Sequence, residues 1–252
     1  MATYAVGDIH GNLDALRDLL DQLALEARRG DTIVFLGDYV DRGRDSKGCI
    51  DAILGFEQSV DAEVVCLLGN HEDWLLRTMR DYCDHSWLLG MEGFATIHSY
   101  SADAEETIRA AATGATRQLY GGTVQLPYDA FFDSVPPDHI RFFEGLRLCY
   151  DNGDGICSHG GLDPRVANLR DQKRMALIWG AGGFPETYRG DQIVVYGHWD
   201  NALLNGGGWP LPAEEARTIG IDTISHGVLT AIRLPDRRVF QSARYTTDRH
   251  DA

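Results

Sequence analysis

No uninterrupted apolar run in this chain is long enough to cross a bilayer, and no basic segment leads into an apolar stretch at its start. A soluble, cytoplasmic protein with no membrane partner is therefore expected. Cysteine is sparse. The five residues Cys49, Cys66, Cys83, Cys149 and Cys157 are odd in number and scattered, and no pair has the close spacing of a zinc or redox motif. Reduced, buried thiols without a disulfide are the expectation. Basic residues are outnumbered, 23 against 38 acidic, and a formal net charge of −15 argues against nucleic acid or anionic membrane as partners. Repeats, low-complexity tracts and linker-like stretches are absent too. A length of 252 residues allows one domain, 1–252, with a real core.

What is there is one design used three times. An apolar run, Thr32-Ile33-Val34-Phe35-Leu36, ends in Gly37-Asp38-Tyr39-Val40-Asp41-Arg42-Gly43. Two carboxylates three residues apart, with an arginine and bracketing glycines, are an unusual group beside a buried strand, because charge there needs a partner. Residues 3–6 likewise lead into Gly7-Asp8-Ile9-His10-Gly11-Asn12, and residues 63–68 lead into Gly69-Asn70-His71-Glu72. Each turn is followed by helical spacing. The leucines at 13, 16, 19, 20 and 23 follow Asn12 as N-cap, Ile50, Ile53 and Leu54 follow the second turn, and Trp74, Leu75, Leu76 and Met79 follow the third. Strand–turn–helix units of this kind build an α/β fold with a partly parallel sheet, whose ligand crevice lies beyond the carboxyl ends of the strands. All three turns then face one crevice.

From 82 to 145 the pattern turns mainly helical, with Pro127, Pro136 and Pro137 as breaks, and reads as an insertion over the sheet. The second half returns to strands. A hairpin through Asp151-Asn152-Gly153 ends in Ser158-His159-Gly160-Gly161, residues 192–196 end in Gly197-His198, and three consecutive antiparallel strands are expected from Thr218 onward. Asp8, His10, Asp38, Asn70, His159 and His198 thus all fall at strand ends. Mixed oxygen and imidazole donors with no thiolate nearby suit Mn, Fe, Zn or Ni better than Ca or Mg. Six donors are too many for one tetrahedral ion, and two divalent ions sharing Asp38 would use them all.

In this order the five motifs resemble the signature of the phosphoprotein phosphatase family of dinuclear metallophosphoesterases, and they span residues 7–198. The resemblance implies a calcineurin-like fold, two mixed sheets in a sandwich flanked by helices. It implies Asp8, His10 and Asp38 on one metal, most simply Mn²⁺, and Asp38, Asn70, His159 and His198 on the other. It further implies that a metal-bridging hydroxide attacks phosphorus, that His71 protonates the leaving oxygen with Asp41 orienting its ring, and that Arg42 binds phosphate oxygens. A Ser/Thr protein phosphatase acting on phosphorylated protein or a small phosphoester is the leading expectation. The alternative is a symmetrical bis(5'-nucleosyl)-tetraphosphatase, which Gly197-His198-Trp199 and Ile221-Asp222-Thr223 resemble, although that subgroup's central motif usually lacks Asp41. Bacterial relatives often carry a second phosphate-binding arginine after the tryptophan matched by Trp179. Here the run is Trp179-Gly180-Ala181-Gly182-Gly183, which leaves Arg174 or Arg189 as substitutes. Glu72 reads equally as a helix-start carboxylate or a catalytic group. His226 is a turn histidine near the crevice, and His85, His98, His139 and His250 are surface or packing residues. Trp74, Trp87, Phe94 and Trp179 are expected in the core.

Overall fold

The computed structural model describes residues 1–153, 155–200 and 202–246; His250 lies outside them. The chain opens with β1 (Thr3–Val6) and α1 (Leu13–Glu26), β2 (Thr32–Phe35) and α2 (Ser46–Ser59), then β3 (Glu63–Cys66) and α3 (Asn70–Arg80). Short helices follow, α4 (Ser86–Gly90), α5 (Gly93–Tyr100), α6 (Ala102–Thr113), α7 (Thr116–Gly121), α8 (Asp129–Phe132) and α9 (Pro137–Glu144). After β4 (Cys149–Asp151) and β5 (Gly155–Ser158) come α10 (Arg174–Trp179) and β6 (Ile193–Tyr196). The remaining strands are β7 (Leu203–Leu204), β8 (Pro210–Leu211), β9 (Ala213–Glu214), β10 (Thr218–Gly220), β11 (Thr230–Leu234) and β12 (Arg238–Gln241).

Two five-stranded mixed sheets result, ordered β12-β11-β1-β2-β3 and β4-β5-β6-β10-β9. Each has three parallel strands: β1, β2 and β3 in the first, β5, β6 and β10 in the second. The period of two along each strand divides the core. Ala5, Val34 and Val65 meet Cys157, Val195 and Ile219 in the layer between the sheets. Their neighbours Tyr4, Val6, Ile33 and Phe35 face the other way, onto Leu16, Leu19, Leu23, Ile50 and Ile53 of α1 and α2. Strands buried on both faces must read as unbroken apolar runs, as these do. The parallel strands of the two sheets bring their carboxyl ends to one rim.

Two local expectations fail. Residues 218–220 do not pair with β11; β10 lies parallel to β6 in the second sheet, and the chain crosses between sheets through the short turn Ile224–His226. The alternation is the same in either sheet, so periodicity could not assign the partner. Asn12 does not cap α1 either. Its side-chain amide turns back and donates to the carbonyls of Ile9 and His10, at 2.8 and 2.7 Å, holding the first turn closed.

All five cysteines are free. Burial pushes the Cys157 thiol up to about 12, and burial raises Cys49 well above its ordinary value. Thiolate is the reactive form, so neither should react in the native protein. At pH 8 a thiol reagent should leave Cys49 and Cys157 unlabelled until denaturant is added, with mass spectrometry showing no change on reduction. Rapid native labelling of either would contradict the packing described.

Candidate active site

The first turn places Asp8 and His10, the second Asp38, Asp41 and Arg42, and the third Asn70 and His71 as the opening residues of α3. His159 and His198 arrive from the ends of β5 and β6 in the other sheet. Such crowding needs unusual backbone. Among the described residues seven non-glycine residues have positive φ, and five of them are His10, Asp38, Asp41, Arg42 and His198. Strained backbone concentrates where packing overdetermines a functional position. Glycine supplies the clearance. A methyl at Gly69 would strike the Asp38 carboxylate, and one at Gly197 would strike that of Asp8.

Donor atoms converge in two groups that could hold a metal ion, His10, Asp38 and His71, and Asp38, His159 and His198. Asp38 belongs to both. Its Oδ2 lies 3.5 Å from His10 Nε2 and 3.8 Å from His71 Nε2, and its Oδ1 lies 3.3 Å from His159 Nε2. Asn70 Oδ1 sits 2.8 Å from His159 Nε2 and 2.9 Å from His198 Nδ1. Asp8 is drawn in by the His198 amide, which donates to Oδ2 at 3.0 Å, while Asp8 Oδ1 stands 4.0 Å from His159 Nδ1. That nitrogen is buried and has no hydrogen-bond partner. Separations of 3.3 to 4.0 Å exceed good hydrogen bonds, yet suit ligands around an ion with bonds of about 2.0–2.2 Å. Buried carboxylate, imidazole and amide oxygen, with one orphaned nitrogen, are a donor set that fits divalent transition metal. His10 is also oriented: its Nδ1 lies 3.0 Å from the Val40 carbonyl, which leaves Nε2 toward Asp38.

The electrostatics set His71 apart. Burial lowers its pKa, but Asp38 and the hydrogen bond to Asp41 outweigh burial and raise it. Burial lowers His10 well below its ordinary value, and burial with His159 brings His198 down to about 4. Among these three rings the shift is upward only at His71. Its Nδ1 is 2.7 Å from Asp41 Oδ2, and its Nε2 is 3.3 Å from Arg42 Nη2. Asp41 also accepts from Trp87 Nε1 at 2.9 Å and from Thr96 Oγ1 at 2.5 Å.

Sequence reasoning missed Trp87 and Thr96 as partners of Asp41, because they come from α4 and α5 with no local motif. Trp87 is fully buried, as expected of a core residue, but its one polar atom is spent on Asp41. Glu72 is resolved as structural. Its carboxylate accepts the backbone N–H groups of Asp38, Tyr39 and Val40 at 3.0, 2.8 and 3.2 Å. Burial and Asp38 push it up to about 8. Asp222, named in the sequence only as part of Ile221-Asp222-Thr223, is buried, and burial with the nearby charges of Asp200 and Asp38 brings it up to about 6. Of the two substitute arginines, Arg174 pairs with Asp73, and Arg189 donates to the carbonyls of Glu186 and Tyr188 in its own loop. His226 pairs with Asp200 at 3.1 Å, outside the two groups. His85 and His139 are buried against Tyr128 and Tyr100, and His98 pairs with Glu105.

Comparison with known proteins follows the same lines. The family model described as calcineurin-like phosphoesterase matches residues 1–227. A symmetrical bis(5'-nucleosyl)-tetraphosphatase of Proteus mirabilis (strain HI4320) is 27% identical, over 95% of this chain and 97% of that protein. Among solved structures, a candidate diadenosine tetraphosphatase superposes with a TM-score of 0.61 at 20% identity, over 95% of this chain and 92% of its own. A serine/threonine phosphatase of Saccharomyces cerevisiae with similarity to human PP5 gives 0.54 at 17%, over 98% and 81%.

The role of Glu72 is testable without substrate. Glu72→Ala leaves three buried N–H groups unpaired, and such groups cost about 1–3 kcal/mol each and do not add fully. A loss of about 2–4 kcal/mol in urea unfolding is expected, with Glu72→Gln, which keeps an acceptor, losing less. Equal stability of Glu72→Ala and the parent would refute the clamp.

Proposed function

The chain belongs to the calcineurin-like phosphoesterase family, and on that premise we propose that this hydrolase acts on a dinucleoside tetraphosphate, split symmetrically. The observation that carries the substrate is the near end-to-end match, 95% of this chain and 97% of its relative, to a protein bearing that name. It favours the second of the two expectations over the first. The Ser/Thr protein phosphatase reading keeps one specific support, Asp41 hydrogen-bonded to His71.

In this proposal Asp8, His10, Asp38, Asn70, His159 and His198 would hold two divalent transition metal ions, with Asp38 common to both donor groups and manganese as the working choice. When bound, such ions supply Lewis acidity to phosphoryl oxygens and to water. The rest is the work of side chains. Arg42, with Nη2 beside His71 Nε2, presents a planar donor pair to the nonbridging oxygens. His71 carries a proton on Nε2 and gives it to the leaving oxygen. Asp41 accepts from Nδ1, fixes the ring and favours its charged form. Trp87 and Thr96, by donating to Asp41, keep that carboxylate from turning away.

The leaving group decides how much His71 matters. General acid catalysis contributes about 10²- to 10⁴-fold where the departing oxygen is strongly basic. A serine alkoxide is such a group, and the terminal phosphate of a nucleoside diphosphate is not. His71→Asn should therefore cost most on a phosphoserine peptide and far less on diadenosine tetraphosphate, with metal content unchanged. Chelated enzyme should be nearly inert and recover with manganese, and Asp38→Asn should lose more metal and rate than Asp8→Asn. Product analysis should give ADP alone. Formation of ATP and AMP, or a higher specificity constant on phosphoserine peptide, would overturn the substrate assignment.

A further inference from the structure

We propose that Trp199 is the base-stacking residue of this site, a flat surface for the nucleobase of the substrate; the proposal rests on the nucleotide reading above. The position is the first argument. Trp199 follows His198 directly, its ring centroid 4.9 Å away and edge-on at 77°. Trp179 meets the same imidazole, at 5.9 Å and 78°. His198 thus makes edge contacts with two indoles, and Trp199 is one ring removed from the donor groups. A base joined to a bound phosphate through a ribose and a further phosphate has to lie just outside such a centre, not in it.

The second argument is the combination of exposure and restraint. Trp199 is 40% exposed, unusual for the largest side chain beside a buried site. It is not loose. Its Nε1 donates to the Gly160 carbonyl at 3.2 Å, and its Cζ2 edge lies against the Cα of Gly180, where a methyl group would collide with it. Gly180 has φ +83°, so glycine is required there on both counts. Two backbone glycines seat one edge of the indole and leave the remainder to solvent. An aromatic surface fixed in this way loses little conformational freedom when a planar ligand stacks on it.

Charge supplies the third argument. The chain carries a formal −15, so its overall field repels a tetraphosphate rather than gathering it. Arg42 is the cation placed against His71, while Arg174 is occupied by Asp73. Divalent ions and Arg42 would bind any phosphate chain alike, so selection has to come from a part of the substrate that is not phosphate, and the base is that part.

The test uses manganese-loaded protein and isothermal titration with ADP and with pyrophosphate. The parent should bind ADP more tightly than pyrophosphate. Trp199→Ala should reduce that preference by roughly ten- to a hundredfold, the range for losing one base–aromatic stack, and Trp199→Phe should restore most of it. An unchanged preference in Trp199→Ala, or equal damage from Phe and Ala, would overturn the assignment. Hydrolysis of diadenosine tetraphosphate is scored separately. A parent that prefers ADP through Trp199 yet does not cleave the tetraphosphate retires the substrate reading alone; cleavage with an unchanged ADP preference retires the stacking residue alone.

Discussion

The three hydrogen bonds from the backbone of Asp38, Tyr39 and Val40 to Glu72 are the constraint on which this site depends. They tie the turn after β2 to the first residues of α3, and so fix Asp38, Asp41 and Arg42 relative to Asn70 and His71. The turn cannot satisfy those N–H groups by itself, since positive φ at Asp38, Asp41 and Arg42 takes the backbone out of any regular ladder. One buried carboxylate meets the whole demand. The cost is a third carboxyl group packed within the same few residues as Asp38 and Asp41, and burial with the nearby Asp38 charge pushes Glu72 up to about 8.

Much of this was legible in the sequence. Glycine-led polar turns after unbroken apolar runs specify strand ends in a buried parallel sheet, and the turns carry the donors themselves. Asp8, His10, Asp38, Asn70, His159 and His198 could therefore be picked out as one set before any geometry was known. The rest depends on long-range packing. Nothing local distinguishes Glu72 as a clamp from Glu72 as a helix-start charge, because its partners lie more than thirty positions back. Asp222 is hidden for a related reason, since its burial arises only where the chain crosses between the two sheets.

The two sheets contribute different parts of the site. The first supplies the turns that carry Asp41, Arg42 and His71, whereas the second supplies His159, His198 and the glycine seats beneath Trp199. Donor groups thus come from both halves of the sandwich and meet at one rim, with Asp38 common to the two sets.

The helices between β3 and β4 have a further implication for modularity. An insertion over a sheet is ordinarily the exchangeable part of a fold, free to vary because loops and appended helices carry little of the core. Here Trp87 and Thr96 of these helices reach inward to Asp41, and Trp87 is sealed completely from solvent. The segment cannot be transplanted, shortened or replaced as a cassette without also unseating the carboxylate behind His71. The helical segment and the central turn therefore form one unit, and a graft of either would have to carry the other.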